Sequence, residues 1–133
     1  MREILFRGKR TINGDWVYGD FVHGNERKSL RDSIFVYDSE TQSFNDYEIN
    51  PSTLGQYTGL KDKNGKRIFE GDVAKVLQGK DKDIAYVGFE NGSFMLYPKT
   101  GNIYERTMWS YWYNDWDVEV IGNVHDNPDL LEK

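Results

Sequence analysis

No cysteine occurs in the chain. That excludes disulfides, thiolate catalysis and cysteine-held zinc or iron–sulfur centres, and it is compatible with a reducing compartment. There are two histidines, His23 and His125, and neither belongs to a ligand-spaced motif, so no metal site is expected. No apolar run approaches the roughly 20 residues a membrane-spanning helix needs. Charges interrupt the first eight residues, Met1-Arg-Glu-Ile-Leu-Phe-Arg-Gly8, so they do not read as a secretion signal, and the expected compartment is the cytoplasm. A Gly-x-Ser-x-Gly elbow is missing. Acids are plentiful, but their spacing names no general acid/base pair. The expectation is a protein that is not an enzyme and uses no cofactor, with an enzyme of unrecognised type, its polar groups converging in a deep pocket, as an alternative.

Charge of one sign is also scarce in places. The net formal charge is −5. Residues 1–31 and 61–82 each carry seven basic and four acidic groups, whereas residues 32–60 carry five acids and no Lys or Arg. Residues 83–133 carry three basic and nine acidic groups. An acidic total disfavours a broad grip on nucleic acid, which depends on neutralising phosphates. The two basic segments could still form a local patch.

What the chain does have is rings and turns. Aromatics make up 15% of it, and there are 13 glycines against 3 prolines, a mixture that favours strands and tight turns. Period-two alternation marks Ile4–Phe6, Trp16–Phe21, Ile34–Tyr37, Phe44–Ile49, Gln56–Leu60, Arg67–Phe69, Val73–Leu77, Ile84–Phe89, Ser93–Tyr97 and Val118–Ile121. Asn-Gly pairs stand between such runs at Gly14, Gly65 and Gly92, and suit the positive φ angles of two-residue hairpin turns. The stretch Asp62-Lys-Asn-Gly-Lys-Arg67 is not a phosphate loop, because Gly65-Lys66 is followed by Arg67 and a strand rather than by Ser/Thr and a helix. Nor is it an EF-hand loop, since its glycine falls at the fourth position instead of the sixth. It reads as a hairpin tip, with Gly71-Asp72 bending the chain into the next strand. Pro51, in Asn50-Pro-Ser-Thr53, interrupts the pattern and offers a subdivision of one unit into 1–50 and 51–133.

The segment 107–116 holds five rings in ten residues: Trp109, Tyr111, Trp112, Tyr113 and Trp116. Their spacing fits both helix and strand. A short helical turn is expected there, and another at the C-terminus, where Asn127 could cap it and Pro128 could take the first position.

The run Gly55-Gln-Tyr-Thr-Gly-Leu-Lys-Asp-Lys-Asn-Gly-Lys66, with Ile68-Phe-Glu-Gly-Asp-Val73, resembles the signature of the YopX family of small phage and prophage proteins. Phe6-Arg-Gly-Lys9, Trp16-Val-Tyr-Gly19, Phe89-Glu-Asn-Gly-Ser-Phe94, Glu119-Val-Ile-Gly-Asn-Val124 and Asn127-Pro-Asp-Leu-Leu131 add to the likeness in the same order. Residues 24–50 and 98–117 carry no part of it. The resemblance implies a mainly β fold, with an SH3-like small β-barrel in the second half and extra β structure before it. It also implies a phage gene product acting inside the bacterial host cell, and it implies no activity.

Two kinds of partner follow as expectations. Exposed rings among Trp109, Tyr111, Trp112, Tyr113 and Trp116, beside acids, suit a protein interface or homo-oligomer. Arg7, Lys9, Arg10, Lys61, Lys63, Lys66 and Arg67 are the alternative, a nucleic-acid contact. Asp115, Asp117 and Glu119 would repel phosphate from the ring segment.

Overall fold

Alternation becomes strand along most of the chain. The computed structural model describes residues 2–108, 110 and 116–132. Among them are the strands β1 (Phe6–Lys9), β2 (Trp16–Val22), β3 (Ser33–Asp38), β4 (Ser43–Glu48), β5 (Gly55–Lys61), β6 (Arg67–Phe69), β7 (Asp72–Gln78), β8 (Asp81–Glu90), β9 (Ser93–Pro98), β10 (Arg106–Thr107) and β11 (Asp117–Asn123). They form two antiparallel sheets, ordered β4-β3-β2-β1-β5-β6 and β10-β9-β8-β7-β11. The fold is mainly β.

The chain divides into two compact units, Met1–Tyr57 and Thr58–Lys133. Residues Pro51–Thr53, near the proline interruption, form a 3-10 turn in which Asn50 Oδ1 accepts from Ser52 N. Gly55 and Gln56 then pair with Arg7 and Phe6, which keeps the start of β5 in the first unit.

In the first unit, β1 to β4 follow one another as antiparallel neighbours. A bridge between Arg10 and Ile49 ties the end of β4 back to β1. Two close approaches make this possible. A Cβ on Gly8 would lie 2.6 Å from Ile49 Cδ1, and one on Gly19 would collide with the Phe35 carbonyl oxygen. Ile34, Ile49 and Tyr57 are buried here.

In the second unit, β7, β8 and β9 run as a meander, β10 continues it, and β11 returns beside β7. Alternation puts Ala74, Val76, Ala85, Val87, Leu96 and Val118 on one face. They form a core with Ile68, Ile103 and Met108. The barrel that the resemblance implied is not closed among the described residues. β10 and β11 are the edges of an open five-stranded sheet, and β10 is only two residues long, too short for a closing ladder.

The turns are less uniform than the three Asn-Gly pairs suggested. Only Asn91-Gly92 links its strands by a two-residue turn, with φ of 52° and 81°. Gly14 and Gly65 also have positive φ, but they sit in longer loops, 10–15 and 62–66. Gly71 has φ of 88° at the bend before Asp72. Pro128–Leu131 is a 3-10 turn. Asn127 occupies its cap position without a side-chain cap, because its Oδ1 turns back to accept from Asn123 N at 3.2 Å. The helical turn expected near 107–116 falls largely outside the described residues.

Candidate binding surfaces

The β1–β2 register sets Arg7 opposite Tyr18 and Lys9 opposite Trp16, so cations and rings share one face. The Arg7 guanidinium lies 4.6 Å from the Trp16 ring centre and the Lys9 ammonium 5.7 Å. Arg10 stacks 4.6 Å from the Tyr47 ring. An open groove of about 320 Å³ is lined by Arg10, Asp15, Trp16, Val17, Tyr18, Val36 and Tyr47. It lies where β2 and β3 part beyond the Asp20–Phe35 pair. Arg7 is 5% exposed, so little of its guanidinium is presented to solvent.

The other basic residues singled out lie on the β5–β6 hairpin of the second unit. Lys61, Lys66 and Arg67 are exposed, and Lys63 reaches Glu119 Oε2 at 3.4 Å. Asp62 organises this tip. Its Oδ1 accepts from Asn64 N and Lys66 N, each at 2.9 Å, and its Oδ2 accepts from Val120 N at 2.9 Å. Burial pushes the carboxyl up, but the three backbone donors and the nearby Lys66 charge outweigh it and hold the pKa below the usual value. Gly65, in the same loop, has open space where a Cβ would stand, so its positive φ is what favours glycine there.

The remaining buried acids anchor turns as well. Asp72 Oδ2 accepts from Phe69 N at 2.7 Å, across the Glu70-Gly71 bend. Asp83 accepts from Ile84 N, from the Thr100 amide and hydroxyl, and from Asn102 N. Burial raises the Asp83 pKa, the Thr100 donors and further amides lower it more, and the net direction is down. His23 is a surface residue whose Nδ1 sits 2.9 Å from Asp32 Oδ1. The Gly24 amide and then His23 lower the Asp32 pKa. Among the described residues no group of three or more His, Asp or Glu is placed to hold a metal ion.

The rings divide into two populations. Trp116 is half-buried and packs against the second unit's core. Trp109, Tyr111, Trp112 and Tyr113 lie outside the described residues. Three cross-strand ring pairs that sequence reasoning did not single out are at least partly exposed. Tyr37 and Phe44, 55% and 57% exposed, meet edge-on at 5.2 Å on β3–β4. Tyr86 and Tyr97 stack at 5.0 Å on β8–β9, and Phe89 meets Phe94 at 5.1 Å beside the Asn91-Gly92 turn. Tyr86 carried a sequence signal, since it shares its strand phase with Lys82 and Glu90, whereas the pairing of the rings depends on register.

Tyr97 crosses over Gly88, where a Cβ would come within 2.6 Å of its Cε2, and donates its hydroxyl to Glu90 Oε2 at 2.6 Å. That bond, then burial and the charges of Glu90 and Glu105, push the Tyr97 pKa up to about 12. The outer face of β8–β9 is therefore aromatic and acidic.

No match is found among curated proteins. A crystal structure of protein EF1440 from Enterococcus faecalis is similar, with a TM-score of 0.59 and 22% identity, covering 99% of this chain and 100% of that one. At that identity the likeness concerns the fold alone. The family model described as YopX protein matches residues 5–132, and with that nearly complete span the chain belongs to the YopX family.

Proposed function

We propose that this protein is a non-catalytic interaction module, a phage or prophage accessory protein that binds a protein partner or itself inside the bacterial cell. The observation that carries this reading is the set of cross-strand ring pairs left in solvent on both units. Exposed aromatics in rigid strands are favourable contact area, because little side-chain freedom is lost when they are covered. Family membership supports the phage context. The direct test is capture of partners from bacterial lysate by the tagged chain, with and without nuclease. A stoichiometric protein that survives nuclease and is lost on Tyr37→Ser with Phe44→Ser, or on Tyr86→Ser, supports the reading. Capture unaffected by any of these folded variants sinks the assigned surfaces.

A second reading rests on the Arg7–Trp16–Lys9 and Arg10–Tyr47 stacks beside the 320 Å³ groove. Rings interleaved with cations suit single-stranded nucleic acid. The burial of Arg7 and the net charge of −5 weigh against it. Binding of short oligonucleotides that weakens steeply with salt would favour it, and no binding at low salt would end it.

A further inference from the structure

Strand β4 is an edge of its sheet, paired with β3 alone from Ser43 to Tyr47 among the described residues. Only at Glu48, whose carbonyl accepts from Thr11 N at 3.1 Å, does the other side find a partner. The β3–β4 ladder runs without a register shift from Ser33–Glu48 to Asp38–Ser43, and the strand contains no proline. Ser43, Phe44, Asn45 and Asp46 are all exposed. An open, regular edge of this kind is a template for one more strand.

The charge around the edge decides which strand. Residues 32–60 contain five acids and no Lys or Arg. Glu40, Asp46 and Glu48 have no ion-pair partner among the described residues, and Asp38 is taken up by the amides of Glu40 and Thr41. Period two puts Phe44, Asp46 and Glu48 on one face, beside Tyr37. A second β4 added antiparallel with Asp46 opposite itself would set carboxylate against carboxylate, which destabilises cross-strand pairing. The same acids that repel another copy of this strand would attract cations at alternate positions.

We propose that β4 takes up an extended basic segment of a partner protein, added antiparallel along Ser43–Tyr47. A Lys or Arg would face Asp46, a second just beyond the end of the ladder would reach the Glu48 carboxylate, and an apolar residue would cover Tyr37 and Phe44. This rests on the reading of the chain as an interaction module, and supplies that module with a site and a partner chemistry.

The probe is an acetylated, amidated eight-residue peptide, Thr-Lys-Thr-Lys-Thr-Val-Thr-Val, whose two Lys and first Val share the face toward Glu48, Asp46 and Phe44, titrated into the isotope-labelled full chain. A peptide with Glu in place of Lys, and one of the original composition with a central Pro, serve as controls. The expected result is saturable binding of the Lys–Val peptide, slowed amide hydrogen exchange confined to Ser43–Tyr47, and little binding of either control. Reversing both acids, Asp46→Lys with Glu48→Lys, should weaken binding on the order of tenfold or more. Both positions are exposed, so the variant keeps its fold, which circular dichroism checks. Equal binding of the Pro-containing peptide would mean charge attraction without strand addition and would overturn the proposal. So would unchanged exchange in β4. Concentration-dependent protection of β4 without peptide would place a second copy there and overturn it too. If the charge-reversed chain still captures its lysate partner and no peptide binds, strand addition falls while the interaction-module reading stands.

Discussion

Asp62 offers the sharpest test of how the second unit is held together. Its carboxylate accepts from Asn64 N and Lys66 N within the hairpin tip and from Val120 N on β11, all at 2.9 Å. Hydrogen bonds to a charged acceptor contribute about 1.5–3 kcal/mol each where water cannot replace them. Water can replace the Asn64 and Lys66 bonds in part, because the tip is surface-facing. The Val120 amide would lose its partner in a bulged part of β11, where the register shifts between Val120 and Gly122. The expected cost of Asp62→Ala is therefore about 2–4 kcal/mol. At about 3–5 °C per kcal/mol for a chain of this size, the melting temperature should fall by about 6–20 °C. Asp62→Asn keeps one acceptor oxygen but turns an amide toward a donor, and should cost about 1–3 kcal/mol. The pH dependence separates charge from shape. The folded Asp62 pKa lies below its ordinary value, so its contribution is full above that ordinary value, near 4, and is lost as pH falls through the folded pKa. The difference in stability between wild type and Asp62→Asn should shrink on going from pH 6 to pH 2.5. Urea denaturation at several pH values reads it. A cost below about 0.5 kcal/mol for Asp62→Ala, or a difference that does not shrink in acid, would refute the reasoning.

Three further outcomes are expected. Glu90→Gln should bring the Tyr97 titration down from about 12 toward the ordinary tyrosine value, read as phenolate absorbance. Because the folded pKa is raised, the stability tied to this bond is full below about pH 10 and lost as pH rises through the folded value. Gly88→Ala should lower the same pKa without touching Glu90, by displacing the ring from its path; a Tyr97 pKa that stays high would mean the ring does not need that path. Gly19→Ala should destabilise the first unit by about 2 kcal/mol or more, since the neighbouring atom is the Phe35 backbone oxygen and cannot swing aside; an effect under about 0.5 kcal/mol in urea would show that β2 and β3 can part freely.

Local chemistry was legible in the sequence, and non-local pairing was not. Asn91-Gly92 behaves as its residues require, because the two φ angles and the adjacent register are all within one hairpin. Asn13-Gly14 is the same dipeptide, yet it closes a longer turn in which Gly14 N donates to the Arg10 carbonyl, while Arg10 also pairs with Ile49, far along the chain. The open second sheet follows from which edges find partners, and no single strand announces that. In the candidate surfaces the rings of 107–116 drew attention by density alone. The ring pairs at Tyr37–Phe44 and Tyr86–Tyr97 are spread over two strands each and become visible only once register aligns them. Asn127 was read as a cap because of its position before Pro128, but a stronger demand, the Asn123 amide beside Gly122, claims its oxygen.

The return of β11 beside β7 has a consequence for how the second unit acquires its structure. β7, β8 and β9 are joined by short turns, so their ladders close small loops and can form early. β11 must find β7 across the whole meander, placing Val118 against Val76, and Asp62 must find Val120 across a longer span still. Those contacts raise the contact order and close long loops, so they are expected to form after the meander. Until β11 arrives, one flank of β7 stays open, and a ribosome must release the last strand before the sheet is whole. A nascent chain stalled before Asp117 should therefore expose Val76 and Ala74, the residues β11 covers, to chaperones or proteases, and full protection should appear in one step when β11 emerges.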